Sequence, residues 1–368
     1  PEGKNEGKEA GPVSIRMPAQ IRTRKPAAIL VSLLLLMAGA GAYSEMESDL
    51  ETGAAERRHH RNSGFVNFWN PEGGPGLISF LKWRFTPNRY SREKENPPDL
   101  PVVVTPVREV LAGGDSITAL GHATVWVRLN GKNILTDPVV GDVWNIRRHA
   151  RFPVPPDQLP NADYVLISHS HYDHLDKTSI RRLGYSPVYL TPLGYREWFA
   201  SVLPGSRVVE LDWFQKYDGD GVVFRLLPVQ HWTKRTPFDT NRKLWGAWLI
   251  EGRDRKIFFG GDSGYFHGFR EFGKKFGPID AAILPIGAYE PRWFMKYSHM
   301  NPPEAVQAFL DLRAGILIPQ QWGVFDLSDE PLDQPVRHLL EAARTAGFPE
   351  DRIVVLNPGG TWYFNKEE

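Results

Sequence analysis

Ile167-Ser168-His169-Ser170-His171-Tyr172-Asp173-His174-Leu175-Asp176 is the stretch from which the rest of this chain is read. It places three imidazoles and a carboxylate within six positions, directly after the apolar, strand-like Tyr164-Val165-Leu166-Ile167. Imidazole nitrogen and carboxylate oxygen are borderline-to-hard donors suited to Zn²⁺, Fe²⁺ or Mn²⁺. Alternation at the end of a strand sends His169 and His171 to one side. Asp173 and His174, where the chain turns, can then face a second ion beside the first. A composite of this kind is a far more specific metal signature than a short motif. A merely polar, histidine-rich surface loop would leave later parts of the chain without matching donors.

Matching donors do follow. His231 comes after the strand-like Val222-Val223-Phe224-Arg225-Leu226-Leu227, and Asp262 stands in Phe258-Phe259-Gly260-Gly261-Asp262-Ser263-Gly264, where an apolar run breaks into glycines. A carboxylate at such a strand end can bridge two cations, and the glycines let backbone approach without a Cβ clash. Taken singly, His231 would read as an ordinary core or surface histidine and Asp262 as a turn former. Their occurrence behind the first motif makes them candidate ligands.

The HxHxDH motif, the later His and the later Asp, in that order, resemble the metallo-β-lactamase superfamily. That resemblance implies an α/β fold, a four-layer αβ/βα sandwich, with a dimetal hydrolase site. Longer strings resemble one branch, the N-acylphosphatidylethanolamine-hydrolysing phospholipase D family: Leu120-Gly121-His122-Ala123-Thr124, Leu135-Thr136-Asp137-Pro138, His231-Trp232-Thr233-Lys234-Arg235, Leu244-Trp245-Gly246-Ala247-Trp248, and Ile286-Gly287-Ala288-Tyr289-Glu290-Pro291-Arg292-Trp293-Phe294-Met295. The similarity runs from about Phe65 to the C-terminus. It implies that His169, His171 and His231 hold one metal, that Asp173 and His174 hold the other, and that Asp262 bridges. Asp137 matches an acid that stands behind a ligating imidazole, where a carboxylate fixes the tautomer and raises basicity. Read without the resemblance, Asp137 is a turn residue before Pro138.

One departure from the family pattern stands out. The family completes its second metal site with the histidine of a strand-end His-Trp-Gly string, whereas this chain has Pro319-Gln320-Gln321-Trp322-Gly323, so Gln321 occupies the ligand position. An amide oxygen is a weaker donor than imidazole, which predicts a looser second site unless water or His299 completes it. His299, in Tyr297-Ser298-His299-Met300-Asn301-Pro302-Pro303-Glu304, matches another family histidine near the active site. Asn301 reads as a helix N-cap, Pro302 as the first helical residue and Glu304 as the capping partner. A histidine just ahead of a helix N-terminus tends to stay neutral, as a ligand or base requires. The alternative is a histidine that packs at the helix entry.

The 368 residues are enough for one large or two modest domains, and 44 basic against 43 acidic residues leave a net charge of +1. That balance offers no electrostatic footprint for nucleic acid. With no cysteine, disulfides, thiol catalysis and thiolate ligands are excluded, so His and carboxylates are the strong metal donors.

Residues 1–43 read as an upstream segment followed by a signal peptide or membrane anchor. Arg22-Thr23-Arg24-Lys25 precedes the apolar Ala27-Ala28-Ile29-Leu30-Val31-Ser32-Leu33-Leu34-Leu35-Leu36-Met37 and the small Ala38-Gly39-Ala40-Gly41-Ala42. This is a basic, apolar, then small-residue pattern with two A-x-A sites, and a start at Met17 gives a signal of ordinary length. The apolar run is short for a span of about 20 residues, which favours export with cleavage, placing the protein in the periplasm, over an uncleaved anchor. Residues 44–64 are polar and charged and read as a flexible linker, with His59 and His60 solvated in it. Residues 65–368 form the metallo-hydrolase domain. It begins with an aromatic arm: Phe65, Phe68, Trp69 and the amphipathic Leu77-Ile78-Ser79-Phe80-Leu81-Lys82-Trp83-Arg84-Phe85. That arm either packs on the domain or dips into a bilayer interface.

Within the domain, Asn130-Gly131 and Gly252-Arg253-Asp254-Arg255 mark hairpins. Ala281-Ala282-Ile283-Leu284, Gly315-Ile316-Leu317-Ile318 and Ile353-Val354-Val355-Leu356 read as buried strands between helices at 303–312 and 335–345, with His338 exposed on the last helix. A dimetal site lowers the pKa of a bridging water and neutralises an anionic phosphate. The resemblance therefore implies a phosphodiesterase that uses a metal-activated hydroxide on N-acylphosphatidylethanolamine-type phospholipids, with two Zn²⁺ ions or Fe or Mn in their place. Asp173 would orient the nucleophile, with His299 assisting. The rivals are a same-fold lactone or cyclic-ester hydrolase and a metal-poor binding protein, the latter motivated by Gln321.

Overall fold

The computed structural model describes residues 58–364 apart from Glu72, Pro98, Thr105, Pro106, Asn145, Pro156 and Asp157. The segment read as export signal or anchor lies outside the described residues, as does the linker up to residue 57. Two short strands, β1 (His60–Arg61) and β2 (Gly64–Phe65), lead into helices α1 (Leu77–Phe85), α2 (Ser91–Lys94) and α3 (Val107–Ala112). Strands β3 (Ser116–Gly121), β4 (Thr124–Leu129), β5 (Lys132–Thr136) and β6 (Tyr164–Leu166) follow, then α4 (Lys177–Leu183), β7 (Val188–Pro192), α5 (Arg196–Val202) and β8 (Arg207–Leu211). The second half comprises β9 (Lys216–Asp218), β10 (Val223–Leu227), β11 (Ala247–Glu251), β12 (Lys256–Phe259), α6 (Gly268–Phe276), β13 (Ile279–Pro285), α7 (Arg292–Met295), α8 (Pro302–Asp311), β14 (Ala314–Gln320), α9 (Gln334–Thr345) and β15 (Thr361–Tyr363).

β1 and β2 pair with each other, and the remaining strands form a seven-stranded sheet in the order β15-β3-β4-β5-β6-β7-β8 and a six-stranded sheet in the order β14-β13-β12-β11-β10-β9. Both change from antiparallel to parallel pairing partway across, at β5 and at β12. Side-chain alternation explains the layering. In β4 and β5, Val125, Val127, Leu129 and Ile134 join the core shared with Phe224, Leu226, Trp248 and Ile250 of the other sheet. Their neighbours Trp126 and Leu135 instead pack with Ile180 of α4 and Phe199 of α5. A period of two thus buries one face against a sheet and the other against helices. On the second sheet, Phe269 and Phe272 of α6, Phe309 of α8 and Leu339 of α9 are fully buried in the shared core. Helix, sheet, sheet and helix layers follow, which is the four-layer αβ/βα sandwich.

Both hairpins form as their turn residues predict, with Asn130 and Gly131 at φ 52° and 76°, and β11 pairing antiparallel with β12. The strands at 281–284 and 315–318 lie within β13 and β14, and the two helices start one residue earlier than their patterns suggested. Three expectations are corrected. Ile353-Val354-Val355-Leu356 is not a strand. Ile353 makes one isolated bridge to Leu317 of the edge strand β14, and the Val354 N–H donates to the Leu317 carbonyl at 2.9 Å, too little pairing to make a strand. His338 is half-buried, its Nδ1 2.8 Å from the Tyr289 hydroxyl. Finally, residues 58–64 are folded on the domain, not a solvated linker. His59 is fully buried and stacks on Trp213, and the Nε2 atoms of His59 and His60 lie 2.6 and 2.8 Å from the two oxygens of Asp212. Burial pushes Asp212 up, yet the two imidazoles and the Trp213 N–H more than offset it and hold its pKa below the ordinary carboxylate value.

Candidate metal centre

The candidate donors converge because they follow strand ends. Asp137 comes directly after β5, the HxHxDH loop after β6, His231 after β10, Asp262 after β12, Gln321 after β14 and His122 after β3. Close approach at this end of the sandwich depends on glycine. Gly261 sits at φ +56°, where a Cβ would lie 2.6 Å from that of Ser168, and a Cβ on Gly287 would lie 1.9 Å from the Gln321 carbonyl.

His169, His171 and His231 form one group. His169 Nε2 and His231 Nε2 lie 2.9 and 3.3 Å from His171 Nδ1. The Nδ1–H of His231 donates to the Ser298 carbonyl at 3.0 Å, which leaves the Nε2 lone pair facing the group. Burial, together with neighbouring imidazoles, holds the pKa of His169 and His231 well below the ordinary value, and burial lowers His171 to about 4. All three rings are therefore neutral near pH 7, the form that binds metal.

Asp173 and His174 form the other group, and Asp262 spans the two. Asp262 Oδ2 is 3.8 Å from both His169 Nε2 and His231 Nε2, while Oδ1 is 3.3 Å from His174 Nε2. Asp137 lies behind His174, fully buried, its Oδ2 2.8 Å from His174 Nδ1; it also accepts from the backbone N–H of Ser168 at 2.7 Å and from its hydroxyl at 2.5 Å. Burial opposes a charge on His174, but Asp262, Asp173 and Asp137 together hold its pKa well above the ordinary imidazole value. His299 precedes α8, whose N-terminus carries the predicted Asn301–Glu304 capping box. It groups with His231 and Asp262 rather than with Asp173 and His174, its Nδ1 3.8 Å from Asp262 Oδ2, and burial lowers its pKa.

Sequence reasoning gave no role to His122 or Ser168, and none individually to Arg235. His122 Nε2 lies 3.0 Å from Asp173 Oδ2. The signal was a histidine directly after a glycine at a strand end, within a string used only as a family marker. Arg235, half-buried against the loop and stacked over Tyr172, donates to the carbonyls of Ser170 and Leu175 at 2.7 and 2.8 Å and so ties down the HxHxDH turn.

The donor set fits a metal. Asp262 Oδ1, His174 Nε2 and His299 Nδ1 are buried without a hydrogen-bond partner. Such atoms cost about 1–3 kcal/mol each when left unsatisfied. Cations placed among them would satisfy several at once.

This fold and donor set define a metal-dependent hydrolase of the beta-lactamase superfamily, and residues 132–322 match the profile described as the beta-lactamase superfamily domain. Within it, the chain belongs to the N-acyl-phosphatidylethanolamine-hydrolyzing phospholipase D family. It is 34% identical over 327 residues to N-acyl-phosphatidylethanolamine-hydrolyzing phospholipase D 1 of Caenorhabditis elegans, covering 80% of this chain and 90% of that protein. It is 32% identical over 262 residues to the mitochondrial enzyme of the same description in Saccharomyces cerevisiae, covering 67% of this chain and 56% of that protein. Among solved structures, Igni18, a metallo hydrolase from Ignicoccus hospitalis, has the same fold with a TM-score of 0.51 at 20% identity, covering 68% of this chain and 99% of that one.

Proposed function

We propose that this chain is a phosphodiesterase that hydrolyses N-acylphosphatidylethanolamine-type phospholipids to N-acylethanolamine and phosphatidic acid. The observation that carries this reading is the 34% identity to the Caenorhabditis elegans enzyme, which extends over 90% of that protein's length. Two divalent cations, Zn²⁺ or Fe or Mn, held by His169, His171, His231, Asp173, His174 and Asp262 would lower the pKa of a water and offset phosphate charge. Asp173, partly open to solvent, would orient the attacking water. His299, neutral and bordering Asp262, would accept the proton released by the attacking water and return it to the leaving oxygen. Asp137 keeps His174 in one tautomer.

The aromatic arm supports a lipid substrate. In α1, Leu77, Ile78 and Phe85 are exposed by 72%, 85% and 84%, too much apolar surface for a helix that only packs on its own domain. Trp83 and Phe80 face Phe294 of α7, and the Lys82 ammonium stands 4.9 Å over the half-exposed Trp293. A bilayer interface suits such a cationic, aromatic surface. Among the described residues, no helix is long and apolar enough to cross a membrane.

The test is direct. Purified protein of measured metal content is offered N-acylphosphatidylethanolamine in mixed micelles and, in parallel, a panel of lactones and cyclic esters. Release of N-acylethanolamine and phosphatidic acid in equal amounts is expected. Turnover of the lactones alone would replace the phospholipid reading, and protein that holds no metal and turns over neither would favour a binding role. We also propose export, with cleavage after Ala40 or Ala42 of a chain started at Met17. N-terminal sequencing of the mature protein reads this out, and recovery of the uncleaved chain in the membrane fraction would establish an anchor instead.

A further inference from the structure

We propose that His122 is a ligand of the second metal site, supplying the imidazole that Gln321 does not. The inference rests on the two-metal reading of the centre. His122, Asp173 and His174 each present a donor atom within 4.8 Å of the others. Two spacings are those of one coordination sphere, Asp173 Oδ2 to His174 Nε2 at 3.5 Å and His174 Nε2 to Asp262 Oδ1 at 3.3 Å, and the third, His122 Nε2 to Asp173 Oδ2 at 3.0 Å, is a contact that a cation between the two would open by a few tenths of an ångström. Ligands about 2.0–2.2 Å from a tetrahedral ion are separated by roughly 3.3–3.5 Å.

The two alternatives are placed differently. His299 stands with His231 and Asp262, on the side of the other ion. Gln321 gives its Nε2–H to Asp262 Oδ2 at 2.9 Å, an orientation that carboxylate charge enforces, because the amide oxygen in that place would face another oxygen. Gln321 thus steadies the spanning carboxylate.

The backbone supports the assignment. His122 adopts φ 56°, a left-handed conformation that costs a non-glycine residue about 1–3 kcal/mol and is retained where a function holds it. The Gln321 N–H donates to the His122 carbonyl at 3.1 Å, so the two residues enter the centre side by side. An imidazole lost from the end of β14 is thereby replaced from the end of β3. The ring of His122 is buried, its edge against Phe325, which limits its swing away from Asp173.

Metal content and stepwise Zn²⁺ affinity are measured for wild type, His122→Ala, His122→Gln and the double variant His122→Ala with Gln321→His, with folding checked by circular dichroism. Wild type is expected to hold two ions per chain. In both single variants the weaker affinity should fall by more than the ten- to hundredfold typical of losing an outer partner, with the tighter site unchanged. The double variant should recover the second ion. His122→Gln keeps an N–H for Asp173, so unchanged weaker affinity in that variant would overturn the ligand assignment and leave His122 a positioning residue. One ion per chain in wild type would instead overturn the two-metal reading itself.

Discussion

Replacing His171 by alanine is expected to strip the protein of most of its transition metal. His171 Nδ1 is the point on which His169 and His231 converge, at 2.9 and 3.3 Å. Structural zinc sites of four ligands bind with about 10–16 kcal/mol, so one ligand contributes on the order of 3 kcal/mol, a loss of more than a hundredfold. Hydrolysis should fall with the metal, because the remaining groups cannot lower the pKa of water by themselves. Elemental analysis of the purified variant after dialysis against a weak chelator gives the answer. Metal content equal to wild type in the folded variant would remove His171 from the ligand set. His171 borders solvent more than His169 or His231, so a fold-wide collapse is not expected from this truncation.

Asp137→Ala should act on stability and metal together. Its carboxylate is fully buried and accepts from the Ser168 N–H, the Ser168 hydroxyl and His174 Nδ1. Removing one partner of such a buried charged network costs about 3–5 kcal/mol, and losing the carboxylate behind a ligating imidazole weakens metal affinity about ten- to a hundredfold. Chemical denaturation of the metal-free protein isolates the first effect. Titration of metal into folded variant isolates the second. A variant as stable as wild type and equal to it in metal affinity would reduce Asp137 to a turn residue before Pro138. Asp137→Asn separates the contributions further, since the amide keeps the volume but cannot accept from all three donors.

The contrast between these residues and those that went unread has a physical basis. The candidate donors of the HxHxDH loop, His231 and Asp262 are legible because each follows a short apolar run that ends in turn or glycine residues, and strand ends are local features of a sequence. The same local logic located both hairpins and the capping box at Asn301. Family likeness added Asp137 and His299, whose surroundings no local pattern reveals.

Convergence is another matter. His122 and Asp173 are brought together only because β3 and β6 lie in one sheet with β4 and β5 between them, and Gln321 reaches Asp262 only because β14 and β13 stand beside β12 in the other. Pairing order of this kind is set by cooperative burial over the whole domain, and single positions carry little of it. His59 and His60 illustrate the same limit: in a polar, charged stretch they look solvated, yet Asp212 and Trp213, some 150 positions away, enclose them. The apolar residues of α1 err in the opposite direction, hydrophobic enough to suggest a packed helix but left largely exposed. Donor types, strand ends, turns and caps are thus written locally. Which donors share an ion, which polar residues are buried and which apolar face stays open are decided by long-range packing, because those outcomes depend on neighbours that only the assembled sheets supply.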